Sequence, residues 1–177
     1  MKESKIKTIL YPTLSLFLIC LVSVILLAGV NELTKDKIAE NNKSKEDILR
    51  QVVFPDADKY SEKADYVECL DKDGNIVGYI FTTADTGYGG DITVLTGINT
   101  NGVVTGVAVA NHTETPTVGG KAIDEGLTDQ YKNKQATTFE VGKNIDGVTG
   151  VTRTAKGVAG AVNKAVEKYN SIKGGGN

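Results

Sequence analysis

Residues 8–31, TILYPTLSLFLICLVSVILLAGVN, carry no charged side chain. As a helix rising ~1.5 Å per residue, such a run exceeds the ~20 residues that cross a bilayer. It has no continuous polar face to turn toward water, so it does not read as a core helix of a soluble protein. In hydrocarbon a lone segment can satisfy its backbone N–H and C=O groups only as a helix. Pro12 lies near the expected start, where a first-turn proline costs a helix little. A cleaved signal sequence would share the basic flank. Its apolar stretch, however, runs only ~7–15 residues and ends at a small-x-small site, and neither holds here. The expectation is a retained transmembrane helix over 8–31.

The flanks orient that helix. Lys2, Lys5 and Lys7 outweigh Glu3 before it, whereas Glu32, Lys35, Asp36, Lys37 and Glu40 nearly cancel after it. The positive-inside rule then leaves 1–7 in the cytoplasm and carries the rest to the extracytoplasmic face of the cell membrane. In a chain of 177 residues, the stretch beyond the span suffices for one ordinary domain. A net charge of −2 gives no basic footprint, so nucleic acid is not expected as a partner. Cys20 lies in the span and Cys69 outside it, which argues against an intramolecular disulfide. Neither cysteine, nor the single His112, has the spacing of a metal site, and none is expected.

Residues 32–58 read as a polar stalk, helical near both ends and broken at Pro55; 59–173 read as the folded domain and 174–177, GGGN, as a disordered tail. From Asp65 the chain changes to short β runs. DYVECL and IVGYIFTT flank DKDGN, and DITVLTGI and VVTGVAVAN flank NTNG; the Asp-Gly and Asn-Gly pairs predict two hairpins. Strict alternation would put Val103, Thr105, Val107 and Val109 on one sheet face. The other would carry Val104, Gly106, Ala108 and Ala110, small enough for a helix or a flat ligand to come close. A short helix is expected over about 121–131. Val158, Ala161, Val162, Ala165 and Val166 then recur at helical spacing in a closing helix over 155–169. The fold class is α+β: an N-terminal helix, then an antiparallel sheet with packed helices. The loops TGYGGD (86–91, with Tyr88 and Gly89) and NHTETPTVGGKA (111–122) sit at strand ends, where binding residues tend to cluster.

Just before the closing helix lies DGVTGVTRT, 146–154. Thr149, Thr152 and Thr154 do not alternate with large apolar residues as a strand requires. No histidine, cysteine or second carboxylate stands beside them in the sequence to make a nucleophile. A loop ending at a helix N-terminus does offer free N–H groups and a favourable dipole to a phosphate. Gly150 permits a sharp turn that presents the hydroxyls outward, and Arg153 can approach a negative charge. Taken alone, the nine residues fit equally a helix start capped by Thr152 or Thr154.

The order of the pieces (anchor, GYGG, hairpin, HTETP with a glycine-bearing loop, DGVTGVTRT, final helix) resembles the FMN-binding G subunits of Rnf-type ion-translocating ferredoxin:NAD oxidoreductases. The C subunit of the sodium-pumping NADH:quinone oxidoreductase is a close relative of these. The resemblance covers essentially the whole chain. Its signature, Asp, two residues, Ser or Thr, Gly, Ala, Ser or Thr, any residue, Thr, is met by Asp146, Thr149, Gly150, Thr152 and Thr154. The resemblance implies that Thr154 carries FMN through a phosphoester made by a flavin transferase. It also implies that Glu114, Thr115 and Gly119, with Tyr88, Gly89 and Arg153, belong to the cofactor site. His112 and Glu114 can hydrogen-bond near the flavin ring or stand as solvent-facing loop residues, and the sequence leaves both readings open. Two positions depart from the pattern. Val151 stands for the usual Ala, and Thr117 and Val118 stand for Gly and Leu after Pro116; a Thr is poorly suited to a position that needs φ > 0.

The function implied is an electron-carrier subunit of a membrane-bound ion-translocating oxidoreductase complex, with other membrane subunits as partners. A membrane-tethered flavoprotein serving external acceptors, and an anchored scaffold domain without cofactor, are the rival expectations.

Overall fold

The computed structural model describes residues 2–174, with the side chains of 10–35, 37 and 45–174. It divides into two compact units with the boundary after Ser44. The expected tail, 174–177, lies outside the described residues except for Gly174, which ends the last helix.

Helix α1, Lys2–Val53, contains the apolar run. Within it Leu10–Lys35 is long and apolar enough to cross a membrane, and none of that stretch is buried against protein. Two hydroxyls within this stretch are satisfied locally: Ser23 Oγ donates to the Ile19 carbonyl at 2.9 Å and Thr34 Oγ1 to that of Val30 at 2.7 Å. Pro12 sits inside the helix rather than in its first turn, because the helix already begins at Lys2. One backbone hydrogen bond is forgone there.

The second unit is built on a five-stranded antiparallel meander, β1 Lys59–Glu62, β2 Val67–Leu70, β3 Ile76–Thr86, β4 Asp91–Asn99 and β5 Val104–His112, in sequential order. The two hairpins form as expected, with Gly74 and Gly102 at φ 87° and 78° in their turns. Strand β1 was not legible: KYSE carries a charge at each end and becomes a strand by pairing Tyr60 with Cys69 on β2. Helix α3, Thr152–Gly174, lays Ala155, Val158, Ala161, Val162, Ala165, Val166 and Tyr169 onto one sheet face. That face supplies Phe81, Ile92, Val94, Ile98, Val104 and Val107. The α+β expectation, an apolar helix followed by an antiparallel sheet with packed helices, is borne out.

The opposite face packs against the end of α1. Val53 and Phe54 are buried with Cys69, Ile80, Leu95 and Ala108. A Cβ on Gly106 would fall 2.8 Å from Val53 Cα, so the small residue there sets how closely the helix end lies. Thr105 Oγ1 donates to the Val53 carbonyl at 2.6 Å, satisfying one of the helix's terminal acceptors. Arg50 bridges Glu46 at 2.8 Å and Glu62 of β1 at 3.0 Å. The polar stretch 32–58 thus contributes its last residues to the domain core.

Two local expectations are corrected. Between Gly97 and Ile98 the β4–β5 register shifts, pairing Gly97 with Gly106 but Ile98 with Val104. This bulge moves Val104 onto the face of Val107 and Val109, which simple alternation had separated. The single helix over 121–131 is instead a one-turn π-helix, Pro116–Gly120, then α2, Lys121–Asp124, and a 3-10 turn, Asp129–Tyr131. Gly126, at φ 95°, breaks the run and lets Leu127 and Tyr131 drop into the core.

Cys69 is fully buried on β2, and burial pushes its thiol from the ordinary 9.0 up to about 12. The neutral thiol is therefore favoured in the fold. The stability this contributes is complete below pH 9.0 and is lost as pH rises toward about 12. At pH 8 the folded protein should leave Cys69 unreacted with a chromogenic disulfide reagent and release it only on unfolding. Rapid reaction in the native state would contradict its place in the core.

Candidate functional site

Three segments meet at one end of the sheet. They are the β3–β4 connection at 87–90, the segment after β5 from Thr113 into the π-helix, and the first turn of α3. Glu114 ties them together. Its Oε1 accepts the backbone N–H groups of Tyr88 at 2.7 Å and Gly89 at 3.2 Å, and its Oε2 accepts the Thr154 hydroxyl at 3.0 Å. The pair is nearly sealed, Glu114 at 5% and Thr154 at 1% exposure. Thr113 Oγ1 donates to the Gly89 carbonyl at 3.0 Å, and Arg153 Nε to that of Gly87 at 3.3 Å. His112 Nδ1 accepts the N–H of Glu114 at 3.3 Å, so it orients the backbone of this segment.

Two side-chain amides hold the approach to α3. Asn163 bonds the backbone of Phe139 in both directions, at 2.7 and 2.9 Å. Gln130 does the same for Asp146, at 2.7 and 3.3 Å. Neither residue was singled out from sequence, because an amide clamp has no local signature. Gly150, at φ 84°, then turns the chain into the helix.

Between these segments lies a cavity of about 320 Å³ lined by Tyr88, Glu114, Thr115, Val118, Gly119, Gly150, Val151, Arg153 and Thr154. That volume falls at the lower end of the ~300–1,000 Å³ usual for small-molecule sites. A neighbouring cavity of about 470 Å³ is lined by Thr117, Val118, Gln130, Asp146 and Thr149 among others. The residues present suit a flavin phosphate. The first-turn N–H groups of α3 have no intrahelical acceptor, and Arg153 carries positive charge beside them. Tyr88, at 75% exposure, and Val118, at 49%, offer apolar surface at the mouth. Gly119 keeps the cradle open, since a Cβ there would sit 2.9 Å from Glu114 Cβ and 3.0 Å from Thr154 Oγ1.

Of the residues named from sequence, Tyr88, Glu114, Thr115, Gly119, Gly150, Arg153 and Thr154 come together around the first cavity. Gly89 stands just behind it, donating to Glu114. Asp146 and Thr149 line the second cavity, and Thr152 is exposed and lines neither. Thr152 and Thr154 separate because successive helical residues turn by ~100°. Thr154 consequently faces inward, not outward as a surface hydroxyl would. Glu114 meets this hydroxyl and the 87–90 loop. Thr117 lies in the π-helix without a positive φ; among the described residues only Asn133 combines a side chain with that conformation. Val118, named only as a departure, proves to line both cavities.

Residues 87–167 match the family described as FMN-binding domain, and residues 1–52 match the RnfG N-terminal region. The G subunit of the proton-translocating ferredoxin:NAD(+) oxidoreductase complex of Clostridium ljungdahlii is 30% identical over 98% of both chains. The G subunit of the Na(+)-translocating complex of Acetobacterium woodii is 33% identical over 90% of both. The crystal structure of Shewanella oneidensis NqrC, at 18% identity, aligns over 66% of this chain and 67% of its own with a TM-score of 0.48. An anchor-length apolar helix, the meander and the loops around Thr154 thus occur in a chain that belongs to the family of G subunits of Rnf-type ion-translocating ferredoxin:NAD oxidoreductase complexes, with that family's FMN-binding domain over residues 87–167.

Proposed function

We propose that this chain is the electron-carrier subunit of a membrane-bound ion-translocating oxidoreductase complex, with FMN joined through its phosphate to Thr154 Oγ. The observation that carries the reading is a threonine hydroxyl, 1% exposed, that lines a cavity at the N-terminus of a 23-residue helix. The helix dipole and its free N–H groups favour a phosphate there, and Arg153 adds a charge-assisted donor. Tyr88, Val118 and Val151 flank the space left for the ring. Bound FMN supplies the redox chemistry; the chain supplies position and polarity. Covalent attachment keeps the cofactor at a fixed place outside the membrane, where a dissociated flavin would be diluted away.

Residues 8–31 serve as the transmembrane helix, 32–58 as a link whose last residues pack into the domain, and 59–173 as the rest of the FMN-binding domain on the extracytoplasmic face, with 1–7 in the cytoplasm. One helix cannot enclose an ion path, so ion movement falls to other membrane subunits, and a flavin transferase matures the chain. Purified in detergent from its own membranes, the protein should come with polytopic partners and keep yellow fluorescence after denaturing electrophoresis. A colourless chain would overturn the flavin assignment, and a chain recovered alone the place in a complex. For topology, an Asn177→Cys variant should react with a membrane-impermeant maleimide on intact cells. Reaction only after lysis would reverse the orientation.

A further inference from the structure

The Thr154 hydroxyl does not point into an empty cradle. It donates at 3.0 Å to Glu114 Oε2, a carboxylate 40 residues earlier whose other oxygen is fixed by two backbone N–H groups. A buried carboxylate beside the site of a phosphodiester is an electrostatic conflict, since two like charges so close repel strongly where water is excluded. The conflict disappears if the carboxylate takes up the proton that the hydroxyl must lose.

Resting on the attachment of FMN at Thr154, we propose that Glu114 is the general base for this chain's own flavinylation. In the step, Thr154 Oγ forms a bond to the phosphorus on the flavin side of a flavin dinucleotide. The phosphoanhydride P–O bond breaks, and the nucleoside monophosphate leaves with the bonding pair. The hydroxyl proton passes to Glu114 Oε2, and nothing is oxidised or reduced. Each chain is modified once, so the base has no need to be reset.

Geometry favours Glu114 over other bases. At 1% exposure the hydroxyl already has its acceptor, and a base brought by the transferase would have to displace it. His112 directs Nδ1 to the backbone N–H of Glu114, and Arg153, on the cavity wall, is cationic. With Tyr88 at the mouth, these are the charged or titratable groups that face the pair from the neighbouring segments, among the described residues.

The test uses full-length protein in detergent with a flavin transferase and flavin adenine dinucleotide, following covalent fluorescence on denaturing gels over about three pH units around neutrality. Glu114→Gln keeps an acceptor for Tyr88 and Gly89 but cannot take the proton. It should label at least about 100-fold more slowly than wild type, with a residual rate that climbs with hydroxide, about tenfold per pH unit. Wild-type labelling by Glu114→Gln overturns the base, as does a slow rate without hydroxide rescue, which marks a strut. If Glu114→Gln does not fold, Glu114→Ala decides: formate in the vacated space should restore labelling, and failure to do so overturns the proposal. Thr154→Val separates this proposal from the one beneath it. An unlabelled Thr154→Val beside a fast Glu114→Gln removes only the base, whereas a labelled Thr154→Val removes the attachment itself.

Discussion

Thr154→Val is expected to abolish covalent flavin while leaving the domain folded. Valine nearly matches threonine in shape, so the wall of the 320 Å³ cavity is kept and only the nucleophilic oxygen is lost. Glu114 forfeits one of its three donors, Thr154 Oγ1, and retains the N–H groups of Tyr88 and Gly89. Leaving part of a buried acceptor unmet costs about 1–3 kcal/mol, a tolerable loss for a domain of this size. The variant, coexpressed with a flavin transferase, should run colourless on a denaturing gel and show an unchanged circular dichroism spectrum. Thr154→Ser, which restores the hydroxyl, should regain label. Thr152→Val should label close to wild type, because Thr152 is exposed and lines neither cavity. A Thr154→Val chain as bright as wild type would move the attachment elsewhere.

The largest effect on stability should come from Phe54, which directly succeeds the last residue of α1. It is 2% exposed and packs with Val53, Cys69, Ile80, Leu95 and Ala108 beneath the sheet. Phe54→Ala removes a ring from a closed layer whose strands, held in one hydrogen-bonded sheet, cannot collapse to fill the space. A loss of about 3–5 kcal/mol is expected. The same layer sets where the chain can be cut. A fragment beginning at Lys45 keeps Val53, Phe54 and the Arg50 bridges and should unfold cooperatively in urea and accept FMN. One beginning at Lys59 loses Val53 and Phe54 and exposes the apolar face of Ile80 and Leu95, so it should be unfolded or aggregate. Equal urea midpoints for the two fragments would show that the end of α1 contributes nothing to the domain.

Features whose causes lie within a few residues were legible in the sequence. The uncharged run 8–31 needs no partner to demand a helix. Asp73-Gly74 and Asn101-Gly102 carry the turn geometry in their own dihedral freedom, and Val158 to Val166 write the buried stripe of α3 at helical spacing. The threonine signature before α3 and the glycine-bearing loops stood out for the same reason.

What escaped was decided by pairing and packing between distant segments. KYSE becomes a strand because β2 offers it a ladder, and the end of α1 joins the core because Gly106 lets it approach. One bulge opposite Gly97 turns Val104 to the face of Val107, overriding the alternation that its neighbours suggest. The same holds at the site. By itself the sequence determined that threonines stand at the mouth of a helix, and that a Glu-Thr-Pro segment comes after a strand. Only the tertiary structure decided that Glu114 meets Thr154 at 3.0 Å and that Thr152 is left in solvent. The reason is physical: a hydrogen bond across 40 residues is specified by the sheet that carries both segments, and no short-range preference of either residue encodes it.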